Sequence, residues 1–320
     1  MTAARARGSA AAQTAGDAAE RGSQGRASTH GPRSSRRGAA AVMTAALALA
    51  TALATGCPKH LPLSRAYPPP PAGELARVFQ ARQRAVSTMN ARARATSWLD
   101  GDRVRATVLM LVHRAGRLRL EAEVSLQGTV AVLATDGQRF AFLDTMKNEL
   151  RHGPACPANV ASLIRIPLAP ADVAAILLGD VRLPDGADLD AGVVDWDADR
   201  GADVLAVRRH DGWLRLLFQR PGGAIRLVGA LATGPDGRAR WRVAFEEFGT
   251  VTTAAPATTI LLPGTIRFAE GDASFDDGVE IKFKERAVNE PVADDVFALP
   301  TPPGTTTFEV ACPPGAPPAR

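Results

Sequence analysis

The chain is 320 residues long and carries 38 Lys and Arg against 33 Asp and Glu, a formal charge of +5. Seven arginines and two acids lie within residues 1–57, which accounts for the whole excess and leaves 31 bases against 31 acids in the rest. A neutral body has no electrostatic reason to bind a polyphosphate, so nucleic-acid partners are excluded.

Residues 1–32 are rich in Ala, Arg, Gly and Ser, have no apolar period, and read as disordered. They lead to Arg33, Arg36 and Arg37, then to 17 mostly small apolar residues, Ala39 to Thr55, and to Gly56-Cys57. A basic flank, an apolar stretch and small residues before a cut form the layout of a secretory signal. Seventeen residues also reach the lower limit for a spanning helix, although alanines contribute little transfer free energy each. The Cys-Pro break and the Pro-rich tract beyond it argue against a buried core helix. With Cys at the cut, Leu53-Ala54-Thr55-Gly56-Cys57 resembles a bacterial lipoprotein signal, departing from it at Ala54, where a large aliphatic residue is usual. The resemblance implies a leader over 1–56, a diacylglycerol on Cys57, and a membrane as first partner. Pro58 stands where enteric bacteria place the Asp that retains lipoproteins at the inner membrane, so the expected address is the periplasmic side of the outer membrane.

Residues 57–73 follow as a tether whose prolines favour an extended, semi-rigid spacer, holding a domain off the membrane. That domain is expected over 74–314, long enough for a real core, with a flexible tail over 315–320. A helix is predicted over 73–89, with Leu75, Val78, Phe79 and Val86 on one face. Asp-Gly pairs at 100–101, 136–137, 211–212, 236–237 and 277–278 separate alternating segments, the strongest short hairpin signal. Strands are read over 103–114, 117–126, 213–220, 224–231, 238–248 and 278–288, each with one buried and one wet face. Counting the weaker segments gives about ten or eleven strands, and hence a large curved antiparallel sheet or barrel. A second helix, 168–179, has Pro170 near its start and Gly179 as C-cap. The fold class is mainly β (α+β).

Three segments carry a resemblance to the LolA/LolB-like family of periplasmic lipoprotein carriers and receptors. They are EVSLQGTVAVLATDGQRFAFLDTMKNELRHG (123–153), ASLIRIPLAPADVAAILLG (161–179) and the stretch from LPGTIRFAE to TTTFEV (262–310). The resemblance implies an unclosed half-barrel with helices as a lid over an apolar cavity that receives acyl chains. An anchored Cys implies a receptor rather than a free carrier, with a periplasmic carrier protein as partner. It also implies that Leu126, in Ser125-Leu126-Gln127-Gly128, aids membrane insertion. The insertion at 182–201 and the cysteines at 156 and 312 depart from the family.

With Cys57 lipidated, Cys156 and Cys312 are an even pair in an exported chain, which reads as a disulfide, with two unrelated thiols as the alternative. Asp195, Asp197 and Asp199 have alternating ligand spacing, but Arg200 and Ala206 stand where a calcium loop needs Gly and Glu. A solvated turn is the better account. The five His lack paired spacing, and no nucleophile elbow, phosphate loop or dinucleotide fingerprint is present. Adjacent Glu246 and Glu247 should face opposite sides of a strand. No enzyme, catalytic residue, cofactor or metal is expected. Trp98, Leu109, Leu111, Phe140, Phe142, Phe218 and Ile176 are candidates to line the cavity, if they face a void rather than a packed core. The expected role is a lipid-anchored cup that binds acyl chains, receiving or shuttling lipoproteins or lipids. The alternative is a structural or assembly lipoprotein with a filled interior and a protein-binding surface.

Overall fold

The computed structural model describes residues 61–99, 102–253 and 257–314; the leader, Cys57, Asp100-Gly101 and the tail lie outside the described residues. Helix α1 spans Ala72–Ala85 and buries Leu75, Ala76 and Phe79. It stops short of residue 89 because Val86 turns extended and Thr88 opens the first strand. Six strands follow in a hairpin ladder: β1 Thr88–Leu99, β2 Asp102–His113, β3 Arg117–Val124, β4 Gly128–Thr135, β5 Arg139–Asp144 and β6 Glu149–Pro154. Two short helices come next, α2 Pro157–Ile164 and α3 Pro170–Leu177. A second ladder comprises β7 Val193–Asp197, β8 Ala202–Arg209, β9 Gly212–Gln219, β10 Arg226–Thr233 and β11 Ala239–Glu246. Strands β12 Gly249–Thr252 and β13 Thr259–Leu262 pair with each other, and β14 Thr265–Glu270, β15 Val279–Val288 and β16 Thr306–Glu309 complete the chain.

Fourteen of these strands form one curved, unclosed sheet in the order β16-β6-β5-β4-β3-β2-β1-β15-β14-β11-β10-β9-β8-β7. All neighbours are antiparallel except β16, which lies parallel to β6. The expected architecture holds, with more strands than the ten or eleven counted. The difference is partly made of β7, β12, β13 and β16, whose four or five residues are too short to display a period of two. The Asp-Gly pairs at 136–137, 211–212, 236–237 and 277–278 sit in reversals between neighbouring strands. At the first of them, Asp136 Oδ1 accepts hydrogen bonds from the amides of Gln138 and Arg139.

Alternation along the strands puts one face of the sheet into a single core. Val108, Met110 and Val112 of β2, Leu118 and Leu120 of β3, Leu214, Leu216 and Phe218 of β9, and Val243 and Phe245 of β11 are all buried there. Helices α1 to α3 supply Leu75, Phe79, Val160, Ile164, Val173, Ile176 and Leu177 to the same cluster. α3 starts at Pro170 and closes with Gly179 at φ 83, as its sequence predicts.

Where α3 ends, Asp180 is fully buried and held bidentately by Arg114, at 3.2 and 2.8 Å. Arg114 Nε also donates to the Val86 carbonyl, and Arg82 of α1 donates to the Leu178 carbonyl at 2.5 Å. Burial pushes the Asp180 carboxyl upward against the pull of Arg114 and Arg82, and the same burial draws the Arg82 guanidinium down to about 10. One carboxylate thus ties α1, the β2–β3 turn and the end of α3 together.

Candidate functional site

The face of the sheet turned away from the core is covered unevenly. Behind β4 to β6, Val132, Leu143 and Leu150 form a small cluster closed by Leu299 of the C-terminal segment. Behind β7 to β11 the face carries a groove of about 1140 Å³. The ladder register explains the hollow. Val204, Leu217, Gly229 and Ala244 stand in one row across β8, β9, β10 and β11, so two of its four positions are Gly or Ala. A bulge at Val228 sets this register, and a Cβ on Gly229 would come within 2.6 Å of the Val243 carbonyl oxygen. The next row is Val193, Ala206, Arg215, Leu231 and Arg242.

Larger side chains stand around this low floor. The Arg226 guanidinium lies 4.6 Å from the Phe248 ring and that of Arg242 lies 5.2 Å from Phe275, each a cation–π contact. Arg200 pairs with Asp197 at 2.6 Å on the rim. Glu246 and Glu247 both border the groove, contrary to the expectation from adjacency. Glu247 adopts φ 54 beyond the end of β11, so strand alternation no longer governs it. The site therefore offers an apolar trough edged by guanidinium groups and carboxylates. Among the described residues no group of three or more His, Cys, Asp and Glu could hold a metal ion.

The residues singled out from sequence do not gather around this trough. Phe218, Ile176 and Phe140 are 0, 1 and 4 % exposed and belong to the packed core beneath the helices. Phe142 packs against that core from a half-buried position. Leu109 and Leu111 point to the opposite face of β2 from Val108, Met110 and Val112, and Trp98 is half-buried with Arg103 over its ring. Phe140 borders a second hollow of about 540 Å³ together with Phe297 and Leu299. Leu126 is fully exposed at φ 72 at the tip of the β3–β4 turn, and Met146 is exposed on the neighbouring β5–β6 turn. The groove residues carried a readable signal, the wet face of predicted strands 213–220, 224–231 and 238–248. What sequence could not supply was the register that lines up Gly229 with Ala244.

The described part of the proline-rich segment, from Leu61 onward, is fastened to the β7–β8 hairpin. The Leu63 amide donates to the Ala198 carbonyl, and Trp196 Nε1 donates to the Leu63 carbonyl, each at 2.8 Å. Arg65 lies over the Trp196 ring and is paired at 3.0 Å with Asp203, whose carboxylate is 2 % exposed. Tyr67 donates its hydroxyl to Asp203 at 2.9 Å and lies under Arg220, which pairs with Glu74 of α1. Burial and the bond to Asp203 push the Tyr67 hydroxyl up, against Arg220 and Arg65. A hydroxyl raised on folding stabilises the docked arm below pH ~10 and loses that contribution as pH climbs through the folded value. Tyr67 is the only tyrosine in the chain, so phenolate absorbance reads it alone. Its titration is expected above the ordinary value in the folded chain and at that value in denaturant. Coincident curves would remove the docking contact.

At the other end of the sheet, Cys156 caps α2 and is bonded to Cys312, with Cα atoms 6.1 Å apart. The bridge follows directly on β16, and the Val310 amide continues its pairing by donating to the His152 carbonyl at 2.8 Å.

No family model matches the chain, and no curated protein does. Several solved structures are similar to it. A DUF1329 family protein from Desulfovibrio piger is 10 % identical with a TM-score of 0.47, over 71 % of this chain and 97 % of that one. A domain described as that of an outer membrane lipoprotein-sorting protein, from Vibrio parahaemolyticus, is 8 % identical with a TM-score of 0.45, over 71 and 97 %. A LolA superfamily protein from Nitrosomonas europaea is 12 % identical with a TM-score of 0.47, over 72 and 97 %.

Proposed function

We propose that this chain is an exported, lipid-anchored binding protein whose groove behind β7 to β11 takes the acyl chain of a lipid or lipoprotein. The observation that carries the reading is the trough itself. Its 1140 Å³ exceeds the roughly 300–1,000 Å³ of ordinary small-molecule sites. Its floor of Val204, Leu217, Gly229 and Ala244 is apolar and low. Apolar burial at about 0.8 kcal/mol per CH₂ would drive binding. The guanidinium groups of Arg226 and Arg242 would meet the polar end of the ligand. Cys57, by its lipoprotein-like signal, would hold the protein at the outer membrane, facing the periplasm.

The test is occupancy. Mass spectrometry of the purified chain should find acyl species, and a fluorescent fatty acid should bind. Ala244→Trp would fill the floor without touching the core face. It is expected to weaken fatty-acid binding at least tenfold with unchanged circular dichroism, and equal binding by the two proteins would sink the reading. A second reading draws on a specific observation as well. The space beneath the helices is filled by Phe140, Ile176 and Phe218, as a structural or assembly lipoprotein would have it. A groove free of lipid in the purified protein, with a protein captured through the same face, would favour that role.

A further inference from the structure

We infer that the end of the sheet formed by the β7–β8 and β9–β10 turns lies against the bilayer that holds the anchor, held there by a short leash. The inference rests on the reading of Cys57 as the lipid attachment site and adds where the domain then sits. Six peptide steps separate Cys57 from Leu63, and a fully extended chain of that length spans at most about 20 Å. From Leu63 onward the arm is not free. Leu63, Arg65 and Tyr67 are each fixed to β7 or β8 by the bonds described above, and the arm runs directly into α1. The prolines that promise a long spacer therefore lie mostly within the docked stretch.

The surface beside the leash combines exposed apolar groups with the exposed Asp199 and Arg200 of the β7–β8 turn, which suit the headgroup level of a bilayer. Leu61 and Leu63 are 80 and 49 % exposed, and the adjoining β9–β10 turn exposes Pro221, Gly222, Gly223 and Ala224, with no charge among them. Gln219 Nε2 donates to the Arg200 carbonyl at 2.9 Å, which joins the two turns into one end surface. The lining of the groove reaches this end through Asp197, Arg200, Gln219 and Arg226. An acyl chain leaving the bilayer would meet the trough here without crossing open water. The Leu126 turn is remote from this contact. β3 and β8 are eight positions apart in the antiparallel order and so run in the same direction, which puts the β3–β4 turn and the β7–β8 turn at opposite ends of the strands.

Hydrogen exchange on a membrane-bound form tests this. In the full chain with Cys156 and Cys312 joined, Cys57 carries the remaining thiol. It can be coupled to vesicles of phosphatidylcholine containing a few per cent of maleimide-bearing phosphatidylethanolamine. Amides of Leu61 and Leu63, and of 198–201 and 222–225, should then exchange at least fivefold more slowly than in the uncoupled chain, with 125–127 and 145–148 unchanged. Inserting a long Gly-Ser segment after Pro58 should abolish that difference while the chain stays coupled. Unchanged exchange at 198–201 and 222–225 would overturn the inference, and so would slowing at 125–127 instead, which would give the contact to Leu126. Full protection despite the insertion would overturn the leash as its cause. Acylation in cells is read separately, from the mass of the N-terminal peptide. A bare Cys57 there would remove the anchor, whereas an acylated Cys57 with no vesicle protection would remove this inference alone.

Discussion

Asp180→Ala is expected to lower the stability of the chain by about 3–5 kcal/mol, the usual cost of breaking a buried ion pair from one side. Asp180 has no solvent exposure, and its two oxygens accept from both terminal nitrogens of Arg114. Removing it strands that guanidinium beside Arg82, which is already drawn down by burial. The damage would spread, because the same cluster joins α1 to α3 through the Leu178 carbonyl. Asp180→Asn keeps a hydrogen-bonding oxygen and should fall between the two. Asp185, 86 % exposed in its pairing with Arg182, serves as the surface comparison, and its alanine variant should stay within about 0.5 kcal/mol. Urea midpoints with unchanged slopes provide the measurement. An Asp180→Ala midpoint equal to that of Asp185→Ala would refute the ion cluster as a strut.

Opening the Cys156–Cys312 bridge is the second large effect. It closes a loop spanning 156 positions, and in the chain-entropy account such a crosslink contributes up to about 5 kcal/mol, with removal of native bridges usually costing roughly 2–5. The local consequence is more specific. β16 has four residues, all exposed, and pairs only with β6. Its pairing in parallel is slightly weaker per residue than the antiparallel rest. Without the bridge, Thr306–Glu309 should fray first, so limited proteolysis of the Cys156→Ser, Cys312→Ser protein is expected to cut between 300 and 314 before any other site within 61–314. Equal midpoints for oxidised and reduced chain, with no early cut there, would contradict this.

Much of the fold was legible because the chain is punctuated by turns that state their own geometry. Asp136-Gly137, Asp211-Gly212 and Asp236-Gly237 each close a hairpin, and Pro170 and Gly179 bound α3. Helix α2 gives little signal in the sequence, because its eight residues put only Val160 and Ile164 on the buried face, too few to display a helical period. The docked arm was missed for a different reason. Proline content reports an extended backbone and says nothing about what that backbone lies on. Tyr67 and Asp203 are 136 residues apart in the chain, and only the fold brings them and Arg65 together. The trough was out of reach for the same kind of reason, since alternation identifies a wet face but not the alignment of small residues from four strands.

The pairing of β1 with β15 imposes an order in time. Met89 stands opposite Val288, so the centre of the sheet is a seam between strands some two hundred residues apart in the chain. The first ladder, β1 to β6, can zip from hairpin to hairpin as it emerges, but the outer edge of β1 stays bare until nearly the whole chain has followed. Loop closure of that span makes the seam slow to form. Meanwhile an open twelve-residue edge is a template for the wrong partner. The molecule is thus most vulnerable late in its own synthesis, and a truncation anywhere before β15 would leave that edge exposed for good.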